Sequence, residues 1–205
     1  MAIGDAYATA TQYRVVTGQT GSGDDAPIDR DLKAVSRYID QALRRPMGFS
    51  RDVSAVARIF KPSYVSIPGV LDVDDLVSVT SITIDTAIDN TFATTLATTD
   101  YELLPRNAAS RPEAHPYTQV ELTRWGTRSS WSTAERVKIT AVFGWPAVPP
   151  AIIDATIELT RILRMESPRA TNRANEMNQI VSASRAAQGI IGDLMSAYMN
   201  PLVTM

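Results

Sequence analysis

Between Glu135 and Arg164 the chain reads ERVKITAVFGWPAVPPAIIDATIELTRILR, and no other stretch limits the possible folds as much. Arg136 to Phe143 alternates in the manner of a half-buried strand. It stops at Gly144-Trp145-Pro146. Pro149 and Pro150 then open a helix, a position proline tolerates because the first-turn amides have no intrahelical partner. In that helix Ile152, Ala155 or Thr156, Leu159, Ile162 and Leu163 share one broad face, while Asp154, Glu158 and Arg161 share the other. β-rich material therefore hands over to helices toward the C-terminal end.

The N-terminal part is helical too. Residues 5–17 read as a short helix closed by Gly18, and GQTGSGDDAP as a flexible loop. Asp29 is placed to cap the next helix. There Leu32, Val35, Ile39 and Leu43 recur at helical spacing, and Pro46 and Gly48 end the element. Between these ends, short β-type runs alternate with turn clusters: Val56–Phe60, Leu76–Ile84, a hairpin near Asp89-Asn90, Tyr101–Leu104, Thr118–Leu122 and Arg136–Phe143. Ile67-Pro68-Gly69 reads as a turn, and so does Asp72-Val-Asp74-Asp75 ahead of the strand at Leu76. Ser167-Pro168 breaks the helix that starts at Pro150. A last helix covers roughly residues 171–199, with a kink or break expected at Gly189 and Gly192. The expected fold class is α+β: a helical core from both chain ends (1–49 and 147–205) with an inserted antiparallel β sub-domain (50–146), as an open sheet or small barrel.

Composition excludes several functions. With no cysteine there are no disulfides and no thiol chemistry, which fits a reducing cytosol. One histidine and no cysteine leave no zinc site of the usual N/S kind. Neither G-x-G-x-x-G nor G-x-x-x-x-G-K-[ST] occurs. The opening residues lack the basic and apolar regions of a secretory signal, and no apolar run reaches membrane-spanning length. The formal net charge of −2 gives no general attraction to nucleic acid.

The charge is unevenly spread. Seven acids and no base lie between Lys61 and Arg106, whereas from Arg106 to Pro146 six basic residues face three acids. Cross-strand neutralisation within one sheet explains this most simply; complementarity between neighbouring copies in a ring is the alternative. His115 sits in a proline-flanked loop and reads as solvated. Trp125, Trp131 and Trp145 interleave with Arg124, Arg128 and Arg136, a mixture that can stack on and neutralise a single nucleic-acid strand but that core or inter-subunit packing explains better. Arg161, Arg164, Arg169 and Arg173 form a second basic group, with Glu158, Glu166 and Glu176 as partners. No carboxylate pair is singled out by the linear order, so a glycosidase-like acid pair stays open as a rival reading.

Taken in order, several segments resemble one family. Tyr38-Ile39-Asp40-Gln41-Ala42-Leu43 leads to an end at Arg44 to Phe49. Asp100-Tyr101-Glu102-Leu103-Leu104-Pro105 has the form Asp-Tyr-x-Leu-x-Pro. Val137–Phe143 runs into Gly144-Trp145, a Val148-Pro149 step and a helix over Ile152–Arg164. In this order and spacing the chain is similar to the head–tail connector (adaptor) proteins of tailed bacteriophages.

The resemblance implies a structural virion protein with no enzymatic activity and no cofactor or metal. It implies a ring of roughly twelve copies beneath the portal protein at the head–tail interface, assembled in the host cytoplasm. Its implied partners are the portal, a stopper or tail-completion protein, other copies of itself, and double-stranded DNA passing through the channel without sequence-specific binding; no membrane is involved. The interface candidates are Arg164, Arg169, Arg173, Ile191, Leu194, Tyr198 and Leu202, with Trp125 and Trp131. Residues 170–205, with their glycines and apolar tip, are expected to meet the portal. Another phage neck or tail component is the nearest alternative.

Overall fold

The structure is a computed structural model that describes residues 5–21, 23–63, 69–110, 113–166, 181 and 184–199. The chain divides into two compact units, one holding the described residues of Ser50–Ala147 and the other those of Ile3–Phe49 and Val148–Met205. The fold class is α+β, with helices from both chain ends in one unit and an antiparallel sheet in the other.

In the helical unit, α1 spans Ala10–Thr17 and α2 spans Asp25–Ala42. Helix α1 starts later than the periodicity suggests. Thr9 and Gln12 form a reciprocal capping box that fixes the first turn at Ala10. Gly18 closes the helix in the left-handed region, as expected. Helix α2 starts earlier than expected, so Asp29 lies inside it and caps nothing. Pro27 falls in the first turn, where its missing amide costs nothing, and Asp25 there favours the helix dipole. Ile28, Leu32, Val35, Ile39 and Leu43 are all buried.

Helix α3, Pro150–Glu166, turns its apolar face inward, with Ile152, Ile157, Leu159 and Leu163 buried. Two buried hydroxyls, Thr156 and Thr160, donate to carbonyls one turn back and so leave no polar atom stranded. Tyr13 of α1, Ile28 and Leu32 of α2 and Ile157 of α3 share one apolar cluster, which joins the two ends of the chain. Arg164 reaches the fully buried Asp31 at 2.9 Å.

The last described helix, α4, spans Arg185–Tyr198, with Ser184 as N-cap. It is continuous through Gly189 and Gly192, contrary to the break expected there. Both glycines face outward, and the buried side of the helix (Ala187, Ile191, Leu194, Tyr198) holds it in place. Tyr198 packs edge-on against Phe49 and its carbonyl accepts from Arg45 Nε at 2.6 Å. A Cβ at either glycine meets nothing within 4 Å. Gly189→Ala and Gly192→Ala are therefore each expected to stabilise the helical unit by about 1 kcal/mol, measured by urea denaturation followed at 222 nm. The expected break at Ser167-Pro168 and the start of the last helix lie outside the described residues.

The other unit is a six-stranded antiparallel sheet ordered β1-β6-β2-β5-β4, with β3 paired to β2. The strands are β1 Val56–Phe60, β2 Val70–Asp85, β3 Thr94–Thr95, β4 Tyr101–Leu104, β5 Tyr117–Leu122 and β6 Arg136–Phe143. Strand β2 is much longer than Leu76–Ile84. Its first part pairs with β5 and its second part with β6, with register shifts between Asp72 and Leu76 and between Leu76 and Ser81. Such bulges sharpen the twist and let one strand serve two neighbours. The buried face carries Leu71, Leu76, Ile82, Val120, Ile139 and Phe143.

Asp72, Asp74 and Asp75 thus lie within a strand and not in a turn. Each has a partner that compensates for its poor strand propensity: Gln119 Nε2 donates to Asp72, Arg58 to Asp74 and Trp145 Nε1 to Asp75. Of the Ile67-Pro68-Gly69 turn, only Gly69 is described. It has φ +92° and its carbonyl accepts from Trp131 Nε1 at 3.0 Å.

Candidate assembly surface

Besides the two-residue β3, which pairs only with β2, the sheet has two outer strands. Among the described residues β1 pairs only with β6, and β4 only with β5. The register opposite β6 sets the faces of β1. Val56, Arg58 and Phe60 stand opposite buried Ala141, Ile139 and Val137, so Ala57 and Ile59 point to the other face. Ile59 is 56% exposed and Val53, just before the strand, is 94% exposed. An exposed apolar edge strand is a template for pairing with another chain.

The β4 edge differs in character. An open cavity of about 260 Å³ beside it is lined by Glu102, Arg106, Glu121, Thr123, Arg124 and Trp125, together with Leu122. Glu102 and Glu121 stand directly opposite each other on β4 and β5. Two carboxylates so placed repel, and Arg106 bridges them, bonding Glu102 and reaching Glu121 at 3.3 Å. Trp125 is 96% exposed. An isolated exposed tryptophan beside a cleft is the residue type most often found as an interface anchor.

The three tryptophans do not form one cluster. Trp131 and Trp145 are buried in the sheet unit, each with its indole N–H donated inward, to the Gly69 carbonyl and the Asp75 carboxylate. Arg128 pairs with Glu135 at 2.7 Å and lies over Trp131; Arg136 pairs with Asp85 at 2.6 Å. His115 is half-buried and lies against Trp145, ring centroids 5.2 Å apart, not in a solvated loop as expected. The two rings are tilted by 52°, and Pro116 beside the histidine is buried.

Of the other interface candidates, Arg164 is committed to Asp31, and Ile191, Leu194 and Tyr198 are buried within the helical unit. Arg169, Arg173 and Leu202 lie outside the described residues, as does most of 170–205. Trp125 is the described candidate that offers open surface.

Ion pairs between the acid-rich and base-rich halves occur within the sheet unit, as in Asp85–Arg136 and Glu102–Arg106. Burial pushes the Asp85 carboxyl up. The amides of Asn90 and Asp89 and the Arg136 guanidinium outweigh it and hold the group below the usual carboxylate range. This carboxylate also pins a loop in which Ile88, Asn90 and Phe92 all have positive φ. Arg161 holds Glu158 below its usual range. A general acid at neutral pH needs the opposite shift.

Asp40 has that opposite shift. Burial pushes it up to about 6, against the pull of the Tyr7 hydroxyl and of Arg37. Its surroundings are structural. The Tyr7 hydroxyl donates to Asp40 and accepts from the Phe49 amide at 2.9 Å, and Arg37 pairs with the carboxylate and lies over the Tyr7 ring. Burial and the neighbouring carboxylate push the Tyr7 phenol well above its usual range. Among the described residues no group of three or more metal-ligating side chains converges, and no helix is long and apolar enough to cross a membrane.

Sequence reasoning missed Val53 and Ile59 at the β1 edge and the outward-facing pair Val15 (78% exposed) and Val16 (62%) on α1. The signal for Val15-Val16 was present. Tyr13 and Ala10 define the buried stripe of α1, and a valine pair off that stripe has nowhere to go but outward. The β1 edge carried no such signal, because strand order depends on long-range pairing.

No described protein family matches the chain, and no curated protein matches it. Among solved structures the chain is similar to one from the neck of an empty GTA particle computed with C6 symmetry. The identity is 15% and the TM-score 0.43, over 83% of this chain and 87% of that one. It is also similar to a chain of the virion of a native gene transfer agent (GTA) particle, at 17% identity and a TM-score of 0.41, over 89% of this chain and 94% of the other.

Proposed function

We propose that this chain is a structural neck protein of a phage-like particle, a head–tail connector that assembles as a ring beneath the portal and docks the next neck or tail protein. The observation that carries the reading is the order of connector-like segments along the chain, taken with the places these segments occupy in the fold. Tyr38–Leu43 closes the buried stripe of α2. Asp100-Tyr101 opens the edge strand β4. Gly144-Trp145 and Val148-Pro149 form the step from β6 into α3. The resemblance therefore falls on the positions where the chain changes element.

Two features fit a binding role. Among the described residues nothing pairs with the outer sides of β1 and β4, and Trp125 stands exposed beside β4. The buried carboxylates Asp31, Asp40 and Asp85 are each paired with an arginine, which suits a scaffold better than a hydrolase. The inserted-sheet division at residues 50–146 belongs to the same proposal, with the helical unit as the rigid body of the ring. Residues after Arg169 make the portal contact in this reading.

Co-expression with the portal protein of the same genome tests it. The full chain co-purifies with portal and a chain ending at Arg169 does not. Portal binding that survives the truncation removes the C-terminal contact. Failure of the full chain to bind portal removes the connector reading.

A further inference from the structure

We infer that neighbouring copies of this chain join edge to edge through their sheets, with the β4 edge and Trp125 of one copy against the β1 edge of the next. The inference deepens the connector reading, and it rests on that reading for the closure of the contact into a ring.

β1 is antiparallel to β6, β6 to β2, β2 to β5 and β5 to β4. Each step reverses direction, so β1 and β4 run the same way. A rotation that carries one copy onto the next around a ring, about an axis along the strands, keeps that direction. It brings β4 beside β1 of the neighbour as a parallel pair that continues the sheet. A two-fold contact would instead pair β1 with β1, or β4 with β4. The two edges of this sheet are chemically different, as a head-to-tail contact requires and a self-complementary one does not.

Apolar surface is offered on both sides of that contact. Arg58 on β1 is occupied by Asp52 and Asp74, and at the β4 edge Arg106 bridges Glu102 and Glu121, so the contact does not rest on net charge. Parallel pairs are slightly weaker per residue than antiparallel ones, so a short edge needs a side-chain anchor. Trp125 supplies it on one side, and Val53 and Ile59, with half-exposed Val56, supply the apolar surface on the other.

The test exploits the absence of cysteine. Ala57 on β1 and Leu104 on β4 lie on the same outward face of the sheet by register: Ala57 stands opposite Thr140 and Leu104 opposite Gln119. Full-length Ala57→Cys, full-length Leu104→Cys and their equimolar mixture are treated at high protein concentration with a short bis-maleimide. The inference expects crosslinked dimer from the mixture and monomer from either variant alone. The double variant gives a ladder of multimers. Trp125→Ala, at a site too exposed to support the fold, lowers the crosslinked fraction about tenfold. Homodimers from a single variant, or monomer in the mixture, overturn the inference. A ladder without portal binding removes the connector reading and leaves the edge contact standing; portal binding without a ladder does the reverse.

Discussion

Gly144→Ala is expected to destabilise the sheet unit by about 3 kcal/mol or more. Gly144 has φ +112°, a conformation that costs a side chain dearly. A Cβ there would come within 2.1 Å of the Ser50 carbonyl oxygen and 2.6 Å of the Arg51 Cα. Both are backbone atoms and cannot rotate away. They are also held in place: Arg51 bridges to Gly144, Trp145 N donates to the Ser50 carbonyl, Asp52 N to the Phe143 carbonyl, and Gly144 N to the Asp75 carbonyl. The residue thus ties the end of β6 to the segment that leads into β1. All three tryptophans lie in this unit, so tryptophan fluorescence, excited at the red edge where tyrosine does not absorb, reports on it alone during urea denaturation. A variant with an unchanged fluorescence midpoint would show that Ser50 and Arg51 can move aside.

Gly48→Ala produces a comparable loss in the helical unit, about 3 kcal/mol, for a different reason. Gly48 has φ +61°, and a Cβ there would lie 2.1 Å from the Tyr7 hydroxyl and 2.8 Å from Asp40 Oδ1. The obstacle is a pair of side chains, so it can be removed. Tyr7→Phe alone leaves the Phe49 amide and Asp40 without the hydroxyl and costs about 1–3 kcal/mol. In the double variant the nearest clash is gone, and the combined loss falls short of the sum of the single losses by about 1 kcal/mol or more. Ellipticity at 222 nm measures it. Strict additivity would show that backbone conformation at Gly48, and not the Tyr7 hydroxyl, sets the cost.

The sequence was most legible where local chemistry decides the structure. The α2 stripe, the α3 face opened by Pro150 and the strands Val56–Phe60 and Arg136–Phe143 follow from periodicity and from proline or glycine punctuation. It was least legible where a distant partner decides. Asp72, Asp74 and Asp75 look like a turn until Gln119 and Arg58 of other strands, and Trp145 just past β6, bind them. Gly189 and Gly192 look like a break until the buried side of α4 is seen to carry the helix through.

The candidate surface divides the same way. Trp125, Trp131 and Trp145 have the same composition around them. Only tertiary structure separates two buried indoles with satisfied N–H groups from one that stands in the open. The β1 and β4 edges are edges only because of the strand order, which no local pattern encodes.

The central claim is that this chain multiplies on a portal. Native mass spectrometry of the purified portal assembly, with and without the full chain, measures it directly. The account predicts a mass increase equal to a whole ring of chains, about as many as the portal has subunits. An unchanged portal mass, or the addition of a single copy, would contradict it.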